Sequence, residues 1–415
     1  MQSIHEVAVR AKQTARRLAS ATTREKNDAL EAIAQGVEAS TARILQANAK
    51  DLEAAAQSGL SHALVDRLRL DAARLQAMAR GVREVAALPD PVGRIERLDS
   101  RPNGLRIGKM TVPLGLVGII YESRPNVTID AAVLCLKSGN ACLLRGGREA
   151  LESNSALVAV CAEALERTGL PREAVSFVRS TDREGVREMA RLSGVLDLLI
   201  PRGGEGLIRF VTENATVPVI QHYKGVCHVY VDAAADMEMA LAIALNAKTH
   251  RPGVCNAMET LLVDAECAER FLPRATEAFR QANVELRGCP RTRALVPSML
   301  PATDADWDTE YLALTLAVRV VDGLQGALDH VALHGTGHTE AIVTNDHTRA
   351  ERWIREVDAS LVLVNASTRF NDGYELGLGA EMGISTTKLH AYGPMGLEEL
   401  CAKKWVGYGT GQTRR

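Results

Sequence analysis

The sequence predicts an α/β protein with two mostly parallel sheets, and three observations carry that expectation. Short apolar runs alternate with amphipathic helical segments from Leu116 to Ile220, the order expected of βαβ crossovers. A second alternating stretch opens at Glu259–Val263, passes through a helical segment at Cys267–Ala282 and reaches strand-like runs near Leu316–Val321 and Leu361–Val364. The chain's 415 residues exceed what one ordinary core holds, so about two or three domains are expected.

Residues through Ala87 are alanine-rich, with apolar positions at helical spacing and one interruption at Ser58-Gly59, which predicts three helices. Pro89, Pro91 and Gly93 end that layer. From Arg94 to Val112, short alternating segments flank Pro102-Asn103-Gly104, and Asn-Gly in that setting predicts a β-hairpin. The region beyond reads as strand Leu116–Tyr121, helix Val127–Lys137, strand Ala141–Leu144, helix Glu149–Thr168 and strand Val175–Val178. Helix Glu184–Leu192, strand Val195–Ile200, helix Gly204–Thr212 and strand Val217–Ile220 complete it.

Forty-nine Lys and Arg against fifty-one Asp and Glu leave a net charge of −2, and aromatic residues make up 4%. Neither a polyanion-binding surface nor a base-stacking platform is expected, which argues against a nucleic-acid partner. Met1 to Ser20 is a charged helical pattern without the apolar core of a signal peptide, and no apolar run has membrane-spanning length. A cytoplasmic protein without a membrane partner is expected. The eight cysteines are scattered, with no CxxC pair and no His/Cys group at zinc spacing, which predicts reduced thiols and no metal.

Cys255 sits in Arg251-Pro252-Gly253-Val254-Cys255-Asn256-Ala257, a loop between helix Met237–Ala247 and strand Glu259–Val263. Loops on a rigid scaffold present nucleophiles, and a neighbouring arginine favours the thiolate. The competing reading is a buried structural thiol. Asn126 lies in Glu122-Ser123-Arg124-Pro125-Asn126-Val127, just after a strand, where parallel-sheet sites form. Its amide suits either an oxyanion donor or a helix cap. Two basic turns, Arg145-Gly146-Gly147-Arg148 and Arg202-Gly203-Gly204, open helices. Such turns let a phosphate approach the backbone, although many merely close a βα connection.

The strings SRPNVTID, LKSGNACLLRGG, RPGVCNAMETLLV, HGTGHTEAI and NASTRFNDGYELGLGAEMGIST stand in this order. Together they resemble the γ-glutamyl phosphate reductase branch of the aldehyde dehydrogenase superfamily. The resemblance implies a Rossmann-like NADP-binding domain with an N-terminal helical layer over 1–95 and 113–223, and a catalytic domain over 224–388. It implies oligomerisation elements over 94–112 and 389–415. Cys255 falls on the family's nucleophile, Asn126 on its oxyanion donor, Arg145 on the residue that contacts the adenosine ribose, and Glu310 near the one that holds the nicotinamide ribose. Gly146, Gly147, Gly203 and Gly204 fall on the cofactor side. Gln221 stands where hydrolytic relatives keep a glutamate base, so release of a thioester to water is poorly supported. Arg148 replaces the acidic residue that NAD-preferring relatives often carry, which points to NADPH.

The implied reaction is NADPH-dependent reduction of L-glutamate 5-phosphate to L-glutamate 5-semialdehyde and phosphate, in proline biosynthesis, through a Cys255 thioester. Arg124, Arg251 and Arg369 are the candidate clamps for this small acyl phosphate's phosphate and carboxylate, with Ser367 and Asn371 completing the site. A homodimer or homotetramer is implied, and functional coupling to glutamate 5-kinase stays open. The nearest alternative, an aldehyde dehydrogenase that passes its acyl group to coenzyme A, would share Cys255 and Asn126.

Overall fold

The computed structural model describes residues 3–414; Met1, Gln2 and Arg415, the ends of the expected first and last segments, lie outside them. Contacts divide the chain into two units, one of Met1–Gln221, Gly377–Gly383 and Met395–Arg415, the other of His222–Leu376 and Ile384–Pro394.

In the first unit the alanine-rich start holds five helices, not the three expected: α1 (Ile4–Ala19), α2 (Thr23–Ala39), α3 (Thr41–Gln57), α4 (His62–Leu68) and α5 (Ala72–Ala87). Continuous periodicity hid boundaries that are set by caps. Ser3 and Thr22 close capping boxes with Glu6 and Glu25, and Ser61 and Asp71 accept from the Leu64 and Arg74 amides. The hairpin is present as β1 (Ile95–Ser100) and β2 (Arg106–Pro113). It turns through Gly104 at a φ of +83°, which glycine adopts without steric cost. The C-terminal strand Cys401–Tyr408 pairs antiparallel with β2 and completes a three-stranded sheet.

The parallel sheet of this unit consists of β3 (Leu116–Tyr121), β4 (Ala141–Arg145), β5 (Val175–Phe177) and β6 (Leu198–Arg202), in the order β5-β4-β3-β6. The connecting and following helices are α6 (Pro125–Lys137), α7 (Leu151–Arg167), α8 (Arg183–Ala190) and α9 (Glu205–Asn214). Every residue of β3 and β4 is buried, so β3 and β4 up to Leu144 read as apolar runs, with Arg145 closing β4. The chain order reverses between β3 and β6, the topology that opens a crevice at their carboxyl ends. Val217–Ile220 does not form the expected strand and makes only a bridge from Val219 to Leu199. Pro218 within it has no amide to give a ladder.

The second unit holds a seven-stranded parallel sheet in the order β10-β9-β11-β8-β7-β12-β13. Its strands are β7 (Cys227–Val231), β8 (Met258–Asp264), β9 (Glu285–Gly288), β10 (Leu300–Pro301), β11 (Thr315–Val321), β12 (Thr339–Val343) and β13 (Leu361–Val364). Its helices are α10 (Met237–Thr249), α11 (Ala265–Gln281), α12 (Pro290–Leu295), α13 (Gly323–His334) and α14 (His347–Glu356). Val229, Leu261, Phe271 and Phe279 fill one core cluster, and Tyr230, Leu262 and Trp353 another.

Asp51 of α3 closes the start of α7 from outside that helix. It is buried, and its carboxylate accepts from Ser153 N at 2.8 Å, Ser153 Oγ at 2.6 Å and Glu152 N at 3.2 Å. Burial pushes its pKa up against the pull of these bonds. Asp51→Ala strands the donors and is expected to cost about 2 kcal/mol, read as a lower urea midpoint. An unchanged midpoint would contradict the capping role.

Candidate active site

Cys255 is the one cysteine of the eight that is not buried. Its loop is held by the backbone beneath it. A Cβ on Gly225 would lie 2.0 Å from the Cys255 carbonyl oxygen, so only glycine lets the lead-in to β7 pass this close. Cys227 Sγ donates to the same carbonyl at 3.2 Å, and Asn256 Nδ2 donates to Asn371 O at 2.9 Å. Behind the loop, Lys248 Nζ and Glu259 Oε2 form a fully buried pair at 2.5 Å, and Glu259 Oε1 accepts from Leu312 N at 3.2 Å. Burial pushes the Glu259 carboxyl up to about 7 and the Lys248 ammonium down, while their mutual attraction pulls both back.

The other thiols are poor candidates for the chemistry. Burial pushes Cys161 and Cys401 up to about 12. For Cys289, burial opposes the thiolate, but the Thr292 hydroxyl and nearby amides outweigh it and lower the pKa. Cys289 is nevertheless buried, and its sulfur serves as the cap of α12.

Around Cys255 the fold gathers residues far apart in sequence. The donor atoms of His222, Cys255 and His338 lie within 4.8 Å of one another. His222 Nδ1 donates to the Ile384 carbonyl at 2.8 Å, and its ring meets that of His338 edge-on at 5.7 Å. Burial, then the neighbouring His222, pushes the His338 pKa down to about 3, so this imidazole is neutral at working pH. Arg369 Nε points at His250 Nδ1, 3.3 Å away. Burial, then the charge of Arg251, lowers the Arg369 pKa, and the Asp372 carboxylate and then a Cys255 thiolate oppose that shift. Arg251, Arg369 and Cys255 thus share one electrostatic field, and two guanidinium groups kept together favour an anion between them.

Ser367 and Asn371, expected beside the substrate, are buried. Ser367 Oγ accepts from Arg369 N at 3.3 Å, and Asn371 Nδ2 donates to Thr339 Oγ1 at 2.7 Å and His338 O at 3.3 Å. Both therefore shape the Arg369 turn and brace the cysteine loop. Glu310 Oε1 accepts from Gly225 N at 2.9 Å, on the strip that supports Cys255. Sequence reasoning passes over His338 and Gly225; the HGTGHTEAI string contains the former, but no spacing ties either to Cys255.

In the first unit, Arg124 and Asn126 open α6 after β3, Arg145 ends β4 with Gly146 to Arg148 following it, and Gly203 and Gly204 follow β6. Arg124 holds the N-cap position and Pro125 the first turn, so Asn126 does not cap; its Nδ2 donates to Asp130 Oδ2 at 3.0 Å. Two glutamates tie these loops together. Glu149 Oε1 accepts from Ser123 N at 2.6 Å and Ser123 Oγ at 2.7 Å, and Glu122 Oε2 accepts from Gly204 N at 2.9 Å. A Cβ on Gly146 would meet Asn154 Nδ2 at 2.0 Å, one on Gly147 would meet Glu149 Oε1 at 2.1 Å, and one on Gly203 would meet Glu122 Oε2 at 2.3 Å. Arg145 is buried and donates to Asp182 O at 3.0 Å, whereas Arg148 is exposed. The two turns lead into helices with unlike starts. That of α7 is closed by Asp51, while α9 begins at Gly204 with no side-chain cap.

Parallel sheets ending in glycine turns, and a half-buried thiol that shares the electrostatic surroundings of Arg369, are features of an α/β enzyme. The model of the aldehyde dehydrogenase family matches residues 2–294, and the chain belongs to that family. It is an oxidoreductase of the γ-glutamyl phosphate reductase branch. A γ-glutamyl phosphate reductase of Geobacter metallireducens is 55% identical over 100% of this chain and 99% of its own. One of Moorella thermoacetica is 56% identical over 98% and 97%. The crystal structure of the γ-glutamyl phosphate reductase of Thermotoga maritima superposes with a TM-score of 0.98 at 48% identity, covering 99% of each chain.

Gly225→Ala forces the cysteine loop away from its seat. A displacement of about 1 Å at a nucleophile costs about 10²-fold in kcat, and iodoacetamide labelling of Cys255 should change in rate while the fold survives. Activity equal to the parent's would show that the contact at Gly225 does not position the thiol.

Proposed function

We propose that the chain reduces L-glutamate 5-phosphate to L-glutamate 5-semialdehyde and phosphate, with NADPH as reductant, in the proline route from glutamate. The observation that carries this reading is the accessible Cys255 thiol in the field of Arg251 and Arg369. An acyl phosphate with an α-carboxylate needs two cationic clamps beside the nucleophile, and the relatives bear that substrate in their names. Arg124 is the third candidate clamp.

The Cys255 thiolate attacks the acyl carbon; the sulfur–carbon bond forms, the carbon–oxygen bond to phosphate breaks, and a thioester results. The Asn126 amide and a backbone amide of the cysteine loop hold the oxyanion. Bound NADPH supplies the two electrons that take the acyl carbon to the aldehyde level, after which Cys255 leaves as a thiolate. Gln221 cannot deprotonate water, which leaves hydrolytic loss of the thioester poorly supported.

The residues fit a nicotinamide dinucleotide. The start of α9 has no side-chain cap, and although Glu122 holds the Gly204 amide, the amides of the first turn beyond it suit a pyrophosphate, while exposed Arg148 suits a 2′-phosphate. Buried Arg145 holds the Asp182 turn beside it and, with Gly146 and Gly147, shapes the ribose end. Glu310 is assigned to the nicotinamide ribose. The sheet of β1, β2 and the C-terminal strand has an exposed edge at β1 and is the element assigned to assembly into a dimer or tetramer.

The deciding assay is NADP⁺ reduction with glutamate semialdehyde, run with and without phosphate, with NAD⁺, and with coenzyme A. Phosphate dependence, NADP⁺ preference and loss of turnover in Cys255→Ala are expected. Coenzyme A dependence without phosphate dependence would refute the substrate assignment. For the cofactor, Arg148→Glu is expected to lower kcat/KM for NADPH by about 10- to 150-fold while that for NADH holds or rises. Equal loss with both would remove Arg148 from the 2′-phosphate site.

A further inference from the structure

We propose that His222, Cys255 and His338 form a binding site for a thiophilic divalent cation, with Zn²⁺ as the best match, and that its occupancy shuts the enzyme off. The three donors stand just ahead of β7, β8 and β12, which are neighbours in the sheet in the order β8-β7-β12. The parallel fold therefore brings together residues 33 and 83 positions apart, and their donor atoms lie within 4.8 Å of one another. Sequence spacing cannot disclose such a site.

The chemistry of the donors matches zinc. One sulfur and two imidazole nitrogens are a ligand set that tetrahedral Zn²⁺ accepts, with the fourth position left to water. Zinc–nitrogen bonds of about 2.0–2.1 Å and zinc–sulfur bonds of about 2.3 Å place tetrahedral donors about 3.5 Å apart. The trio must close by about 1 Å on binding, through the half-buried Cys255 side chain, while the Ile384 bond holds His222.

A second observation points to a ligand at this place. His338 is fully buried, and its Nε2 has no hydrogen-bond partner among the described residues. His222 is oriented by its Nδ1 bond to the Ile384 carbonyl, the kind of carbonyl contact that fixes metal-ligating histidines. On binding, the Cys255 thiol releases its proton to solvent and forms a sulfur–metal bond; nothing is oxidised or reduced. A thiolate held by Zn²⁺ cannot attack an acyl carbon, so occupancy blocks turnover. The metal site does not rest on the proposed substrate; only its inhibitory consequence rests on Cys255 being the nucleophile.

The test uses the full-length protein stripped of metal by a chelator and then titrated with ZnCl₂ against a metallochromic competitor. One Zn²⁺ per chain is expected, with iodoacetamide labelling of Cys255 suppressed by Zn²⁺ and restored by EDTA. Co²⁺ should give tetrahedral visible bands and a thiolate charge-transfer band that Cys255→Ser removes. His222→Gln and His338→Gln should each weaken Zn²⁺ binding by at least about 10-fold. Should His338→Gln fail to fold, His222→Gln alone decides. Unchanged affinity in His222→Gln would reduce the event to capture by a solitary thiol and overturn the site, as would the absence of stoichiometric binding. Tight binding without loss of turnover would leave the metal site standing and refute Cys255 as the nucleophile.

Discussion

The second unit of this protein depends on a side chain that is absent. Because residue 225 is glycine, the segment leading into β7 runs directly against the Cys255 carbonyl, where a single added carbon would stand 2.0 Å from the oxygen. The contact lets Cys227 reach that carbonyl and lets Glu310 hold the Gly225 amide, while Val226 N donates to Thr336 Oγ1 at 3.0 Å. A loop anchored through its backbone keeps its side chain available. That is the condition a nucleophile needs, and it explains why Cys255 alone among the cysteines keeps solvent access.

Buried charge supports the same loop at some cost. Lys248–Glu259 and His228–Glu340 lie in the interior with almost no exposure, where desolvation offsets most of the attraction between partners. Such pairs add little net stability, but removing one member costs about 3–5 kcal/mol, because the other is then left charged or orphaned. Their value is positional: Glu259 begins the strand that leaves the cysteine loop and also holds the Leu312 amide, and Glu340 clamps both the backbone and the ring of His228. In the other unit, Glu122 and Glu149 do the same for the turns after β3, β4 and β6. Ser123 sits at a φ of +41°, a strained value for a residue with a side chain. The two hydrogen bonds it gives Glu149 offset that strain.

The sequence disclosed elements whose burial is uniform and hid those whose polarity is mixed. β3 and the first four residues of β4 form unbroken buried runs and fall where the apolar runs placed them. β7 and β12 are hard to read because His228 and Glu340 interrupt their apolar pattern, and only their pairing across the sheet removes the penalty of burying them. The alanine-rich layer holds more helices than its periodicity shows because caps, not breaks in periodicity, set its boundaries. In the site, Cys255 stands out through its loop and the motif around it. Gly225 and His338 do not, since their roles exist only after distant segments meet. Asn371 has the composition of a ligand and the burial of a brace, and sequence alone cannot distinguish the two.

The environment proposed to activate Cys255 also fixes its liabilities. A guanidinium near a thiol favours the thiolate; Arg369 lies within electrostatic reach of Cys255 and of Arg251, as the proposed acyl transfer requires. His222 and His338 crowd the same sulfur, and burial keeps His338 from carrying a charge that would add to the cationic field. A protonated imidazole there would strengthen the attraction for the thiolate but crowd a third positive group against the arginines. A neutral one avoids that repulsion and leaves nitrogen lone pairs beside a soft anion. The cationic field selects hard anionic oxygens such as phosphate and carboxylate, whereas the imidazole–thiolate cluster selects soft or borderline metals. Both selectivities follow from one decision of the fold, to bring the leading ends of β7, β8 and β12 together around an accessible sulfur.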